Sequence, residues 1–101
     1  MNIQEKTLVF KLTEDGSAFD FKDLNNIDAG VKFFIADVSL VSLEVLRNIK
    51  NKFVTFDKTI SKINGSFVIV SKFSFTEELK IVPTLQEAYD YIEMEEMERQ
   101  L

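Results

Sequence analysis

Residues 79–92, Leu-Lys-Ile-Val-Pro-Thr-Leu-Gln-Glu-Ala-Tyr-Asp-Tyr-Ile, place a strand, its stop and the start of a helix in immediate succession. Residues 80–82 read as a short β-segment. Pro83 lacks the amide hydrogen a ladder needs, so the strand ends there. Thr84 and Glu87 have capping-box spacing. The threonine oxygen would accept from the Glu87 amide, and the glutamate would reach back to the Thr84 amide. Leu85, Ala88, Tyr89 and Ile92 then fall on one face of the final helix, with Tyr91 turned toward solvent. A chain with this ending is built from strands and helices in alternation.

The upstream pattern agrees. Residues 7–13 are rich in β-formers and read as a strand, and residues 14–17 supply a turn around Gly16. Residues 18–22 alternate with period two, as a strand would, whereas Phe19, Leu24 and Ile27 suit a short helix. The helix reading fits better with a strand at residues 31–36, which is nearly continuous in apolar residues and so reads as a covered central strand. Leu46, Ile49, Phe53, Phe56, Ile60 and Ile63 then repeat at helical spacing. Ser42 is the N-cap and Asn64-Gly65 the glycine cap. The β-branched and aromatic residues at 53–56 predict a bend or break there. Residues 66–71 read as another buried strand. Phe73, Phe75 and Leu79 occupy a connection with room for one helical turn.

A chain of 101 residues with 46% hydrophobic side chains, ten of them phenylalanine, can build one core without metal or disulfide. The expected fold is a single α/β domain over residues 1–101. It would have a mixed sheet of four to five strands, with helices mainly on one face.

The inventory excludes much chemistry. There is no histidine and no cysteine, so triads and the usual neutral-pH base are missing. The three glycines stand apart, without a phosphate loop. No enzyme, metal site or cofactor is expected. No apolar run approaches the ~18 residues of a membrane span, and the first residues lack a signal-peptide core, so the expected location is the cytoplasm.

The net charge of −5 is concentrated at one end. Residues 77–101 carry eight acidic and two basic side chains; the rest carry nine and ten. An acidic chain is a poor generic nucleic-acid binder. Glu93, Glu95, Glu96 and Glu98 lie toward the end of the last helix, where negative charge opposes the macrodipole. With Arg99 they are the candidate partner-binding residues, and Met94 and Met97 offer adaptable apolar contacts. The plain alternative is a solvated helix end. Arg47, Lys50, Lys58 and Lys62 line the helix side opposite the apolar stripe. They form an alternative anion-binding surface for RNA, for an acidic protein, or for the tail of a second copy in a homodimer. The plain alternative is again a solvated face.

The element order resembles that of the STAS domain, the fold of bacterial anti-sigma factor antagonists. Phe34-Ile-Ala-Asp-Val-Ser39 is similar to its central strand, and Val82-Pro-Thr-Leu-Gln-Glu-Ala88 to its last strand entering the terminal helix. Residues 66–70, 82–84, 87–88 and 92–99 are closer still to a group of small bacterial STAS-like proteins. These are encoded beside, and sometimes labelled as, ribonuclease Z. That label describes a histidine-rich zinc hydrolase, which a histidine-free chain is not equipped to be. The resemblance implies a non-catalytic regulatory protein–protein interaction module. An accessory RNA-binding role beside a nuclease is the alternative. Signalling STAS domains carry a phosphorylated serine at a helix start. Ser42 is the closest counterpart here, with Ser39 behind it, but the segment lacks the usual glycine and second aspartate. A simple N-cap is the competing role for Ser42.

Overall fold

The computed structural model describes residues 3–12 and 30–101. In chain order these form α1 (Ile3–Lys6), β1 (Thr7–Lys11), β2 (Phe33–Asp37), α2 (Leu43–Lys62), β3 (Ser66–Val70), β4 (Ile81–Val82) and α3 (Leu85–Arg99). The turn expected at residues 14–17 and the helix expected over residues 18–27 lie outside the described residues.

The four strands form one sheet in the order β1-β2-β3-β4, and every pairing is parallel. The α/β class is as expected, but the described sheet is parallel rather than mixed. The reason lies in residues 71–80. They carry the chain from β3 to a parallel β4 without a helix, across a gap that usually takes a dozen or more residues. Leu79 is buried in the connection, and Phe73 and Phe75 pack on the same core cluster. Side chains of the connection thus cover the sheet where a crossover helix would.

Alternation along β2 and β3 splits the core in two. Phe34, Ala36, Phe67 and Ile69 face α2. Phe33, Ile35, Val68 and Val70 face the other way, toward Ala88 and Ile92 of α3 and Ile3 of α1. Helices therefore lie on both faces, not mainly on one. The full burial of β3 on both sides follows from its central place.

α2 is one unbroken 20-residue helix, against the expected break at residues 53–56. Those weak helix formers are its anchor. Phe53 packs on Phe67, and Phe56 meets Phe10, Phe34 and Phe67, three edge-on contacts with ring centroids 5.0–6.5 Å apart. Aromatic pairs of this kind add roughly 0.5–1.5 kcal/mol each beyond burial, enough to override propensity differences of a few tenths. Ile63 lies at the cap and is half exposed, so the buried stripe ends at Ile60.

The end of α2 is a Schellman turn. The Gly65 amide donates to the Ile60 carbonyl at 2.9 Å, and the Asn64 amide to the Ser61 carbonyl at 3.1 Å. Asn64, not the expected glycine, takes the left-handed conformation with φ 58°. Gly65 answers a different demand. A β-carbon there would fall on the Lys32 carbonyl oxygen and lie 2.7 Å from Ile60 Cγ2. That carbonyl accepts the Ser66 amide, which aligns β3 with the start of β2.

Candidate interaction surface

α3 starts as its sequence requires. The Thr84 hydroxyl accepts from the Glu87 amide at 3.2 Å. The reciprocal bond from the Thr84 amide to Glu87 is not formed, and Glu87 is exposed. Only Ala88 and Ile92 of this helix are buried. Tyr89 and Tyr91 both pack partly against the sheet, so Tyr91 is less exposed than its position suggested, and Leu85 is 39% exposed.

Polar contacts complete the attachment. Lys80, entering β4, donates to Glu95 Oε2 at 2.6 Å and lies 5.4 Å from the centre of the Tyr91 ring. One turn on, Arg99 donates twice to Glu96 Oε2, at 2.9 and 2.8 Å, and reaches across to Ser66 Oγ at 2.9 Å and the Gly65 carbonyl at 3.3 Å. Lys32 approaches Glu96 from the other side at 3.9 Å. Both cations lie over the buried Phe33 ring. Ala88, Ile92, Glu95, Glu96 and Arg99 are spaced three or four apart, so they share the sheet-facing side.

These contacts set the ionisation. The Arg99 hydrogen bonds hold the Glu96 carboxyl below the ordinary carboxylate range. Burial opposes this, and Lys32 and Gln100 assist it. Burial is the largest single influence on Lys80 and disfavours its charge, but the Glu95 hydrogen bond and the attraction of Glu95, Tyr91 and Asp57 together outweigh it and raise the lysine pKa. Asp57 of α2 senses the same pair. Burial raises its pKa, Lys80 partly opposes this and Glu95 adds to it. Glu95 Oε1 is buried and has no hydrogen-bond partner.

The outer side of α3 differs. Met94 and Met97 are 53% and 63% exposed. Stepping about 100° per residue puts them within ~60° of each other, roughly opposite Ile92. Asp90, Glu93 and Glu98 surround them, all exposed. Asp90 accepts from Gln86; Glu93 and Glu98 make no ion pair among the described residues. Of the five candidate partner-binding residues, Glu95, Glu96 and Arg99 are thus engaged within the chain, while Glu93 and Glu98 face outward. The missed signal was the spacing: Glu95 and Glu96 follow Ile92 by three and four residues and continue its face.

The basic stripe divides too. Lys50 pairs with Glu78 at 3.0 Å, whereas Arg47, Lys58 and Lys62 are exposed along α2 without an ion pair among the described residues. Ser42 caps α2 by accepting from the Val45 amide at 3.3 Å. Asp37 accepts from the Ser39 amide and, at 2.7 Å, from its hydroxyl. A phosphate on Ser39 would sit against that carboxylate.

The strand order never reverses, so the described sheet has no topological switch point, where open α/β sheets form their ligand crevice. An open depression of about 560 Å³ lies at the opposite ends of the strands, beside Lys6, Thr7, Lys32 and Glu96. No cluster of metal-ligating side chains occurs among the described residues, and no helix among them is long and apolar enough to cross a membrane. No family model, curated protein or solved structure matches the chain.

Proposed function

We propose that this chain is a non-catalytic protein–protein interaction module whose contact surface is the outer side of α3. The supporting observation is the division of charge on that helix. Glu95, Glu96 and Arg99 are used for attachment, while Glu93 and Glu98 stand unpaired in its last turns around two exposed methionines. Charge that opposes the dipole and has no ion-pair partner among the described residues is not explained by stability. The resemblance of residues 34–39 and 82–88 to STAS domains points to the same functional class.

The test is capture from source-cell lysate by the tagged protein, compared with an E93Q/E98Q/M94S/M97S variant of equal thermal stability. A stoichiometric partner lost with the variant is the expected result. A partner retained by the variant removes this surface.

A second reading is an RNA-binding accessory role for Arg47, Lys58 and Lys62, favoured by their exposure in one line on α2. It requires a gel shift with RNA at low salt that fades steeply as salt is added; absence of a shift eliminates it. A phospho-switch has less footing, because Ser42 already caps α2 and Asp37 would repel phosphate at Ser39.

A further inference from the structure

We infer that the outer side of α3 receives a basic amphipathic helix from a partner protein, an inference that rests on the interaction reading above. Three features specify this occupant. Met94 and Met97 form an apolar strip, and Leu101, just past the helix, is also exposed. Scattered exposed apolar residues are ordinary, but these adjoin on a helix that buries only Ala88 and Ile92 behind them. Methionine is flexible and polarisable, which suits a surface that adapts to a partner's side chains. Acidic residues lie around the strip: Asp90 in line with it one turn earlier, Glu93 on one flank and Glu98 on the other. A docking helix therefore needs apolar residues at i, i+3 or i+4, and i+7, with lysine or arginine beside them.

A second copy of the chain meets only half of this requirement. Pairing α3 with α3 would bring the methionines together but face Glu93 and Glu98 with their own kind, a repulsive arrangement. Pairing α3 with the outer side of α2 would supply Arg47, Lys58 and Lys62, but no matching apolar strip, since among the described residues the large exposed apolar side chains near α2 are Leu40 before its start and Ile63 at its C-cap. An anionic membrane is disfavoured by the same acids.

The probe is a displayed library of helical peptides about 16 residues long, ~24 Å of helix. It is selected on the intact protein and counter-selected on an M94S/M97S variant whose melting temperature matches. Enriched peptides are expected to be net positive with an apolar stripe. A synthesised winner should bind E93Q/E98Q roughly threefold to tenfold more weakly, the range that two exposed charges supply. Enrichment of acidic or uncharged peptides that still need Met94 and Met97 would overturn the basic partner while leaving the surface intact. No enrichment over the counter-selected variant would remove both the partner and the surface. Concentration-dependent dimerisation abolished by M94S/M97S would make a second copy the occupant and overturn the inference.

Discussion

α2 and α3 cover opposite faces of one sheet and are held there by different physics. α2 buries Leu46, Phe53, Phe56 and Ile60, and its phenylalanines interlock with rings from β1, β2 and β3. α3 buries only an alanine and an isoleucine, and is fixed by Lys80–Glu95 and by Arg99 bridging Glu96 to Ser66. Apolar burial is non-directional and strong, while partly exposed ion pairs are directional and individually weak. A helix attached in the second way needs few apolar residues inward. On α3, two large ones point outward instead.

The largest expected effect tests the α2 side of this contrast. Phe53→Ala should destabilise by about 3–5 kcal/mol, as for buried aromatic truncations. Ile92→Ala should cost about 2–3 kcal/mol, less than Phe53→Ala because a smaller side chain is removed. Chemical denaturation of both variants measures the difference. Equal losses would mean that α3 is also held chiefly by apolar packing.

Next comes the polar clamp. Arg99→Ala removes bonds to Glu96, Ser66 and Gly65 at once and should cost about 1–3 kcal/mol. Lys80→Ala should cost roughly 1–2 kcal/mol after screening of its exposed part, because Glu95 would lose its only ion-pair partner among the described residues. Hydrogen exchange should show α3 amides losing protection while α2 amides keep theirs. Uniform loss across both helices would break the distinction.

Acidity sharpens it with opposite signs. Glu96 has a depressed pKa, so its stabilisation is present above the ordinary carboxylate value and disappears as pH falls through the lowered one. Glu96→Gln should therefore lower the melting temperature at pH 7 and become neutral in acid. Asp57 has a raised pKa, chiefly from burial, so its ionised form disfavours folding above that value. Asp57→Asn should raise the melting temperature at pH 7, and the gain should shrink in acid. Melting curves across pH for both variants check the pair; parallel behaviour would contradict it. The smallest effect is at the α2 cap. Asn64→Gly should stabilise by about 0.5 kcal/mol, since glycine adopts positive φ more readily.

How much of this was legible depended on where each partner sits. The α2 stripe was visible because its spacing is internal to the helix. Its predicted break was wrong because Phe53 and Phe56 draw their stability from Phe67 and Phe34, which local propensity does not register. The Thr84 cap was legible for the same local reason as the stripe. The clamp was not. Glu95 finds Lys80 fifteen residues away and Arg99 finds Ser66 thirty-three away, so a run of glutamates read as one free acidic tail. The parallel β3–β4 crossing was hidden because aromatic side chains of residues 71–80 take the place of a helix.

The central claim is that α3 has an inner charged set that fastens it and an outer set free for a partner. The most direct measurement compares two double variants, E95Q/E96Q and E93Q/E98Q, for melting temperature and for capture of the same partner. The account expects the inner pair to lower stability and the outer pair to weaken capture several-fold at unchanged stability. Loss of capture with the inner pair alone, or loss of stability with the outer pair, would contradict it.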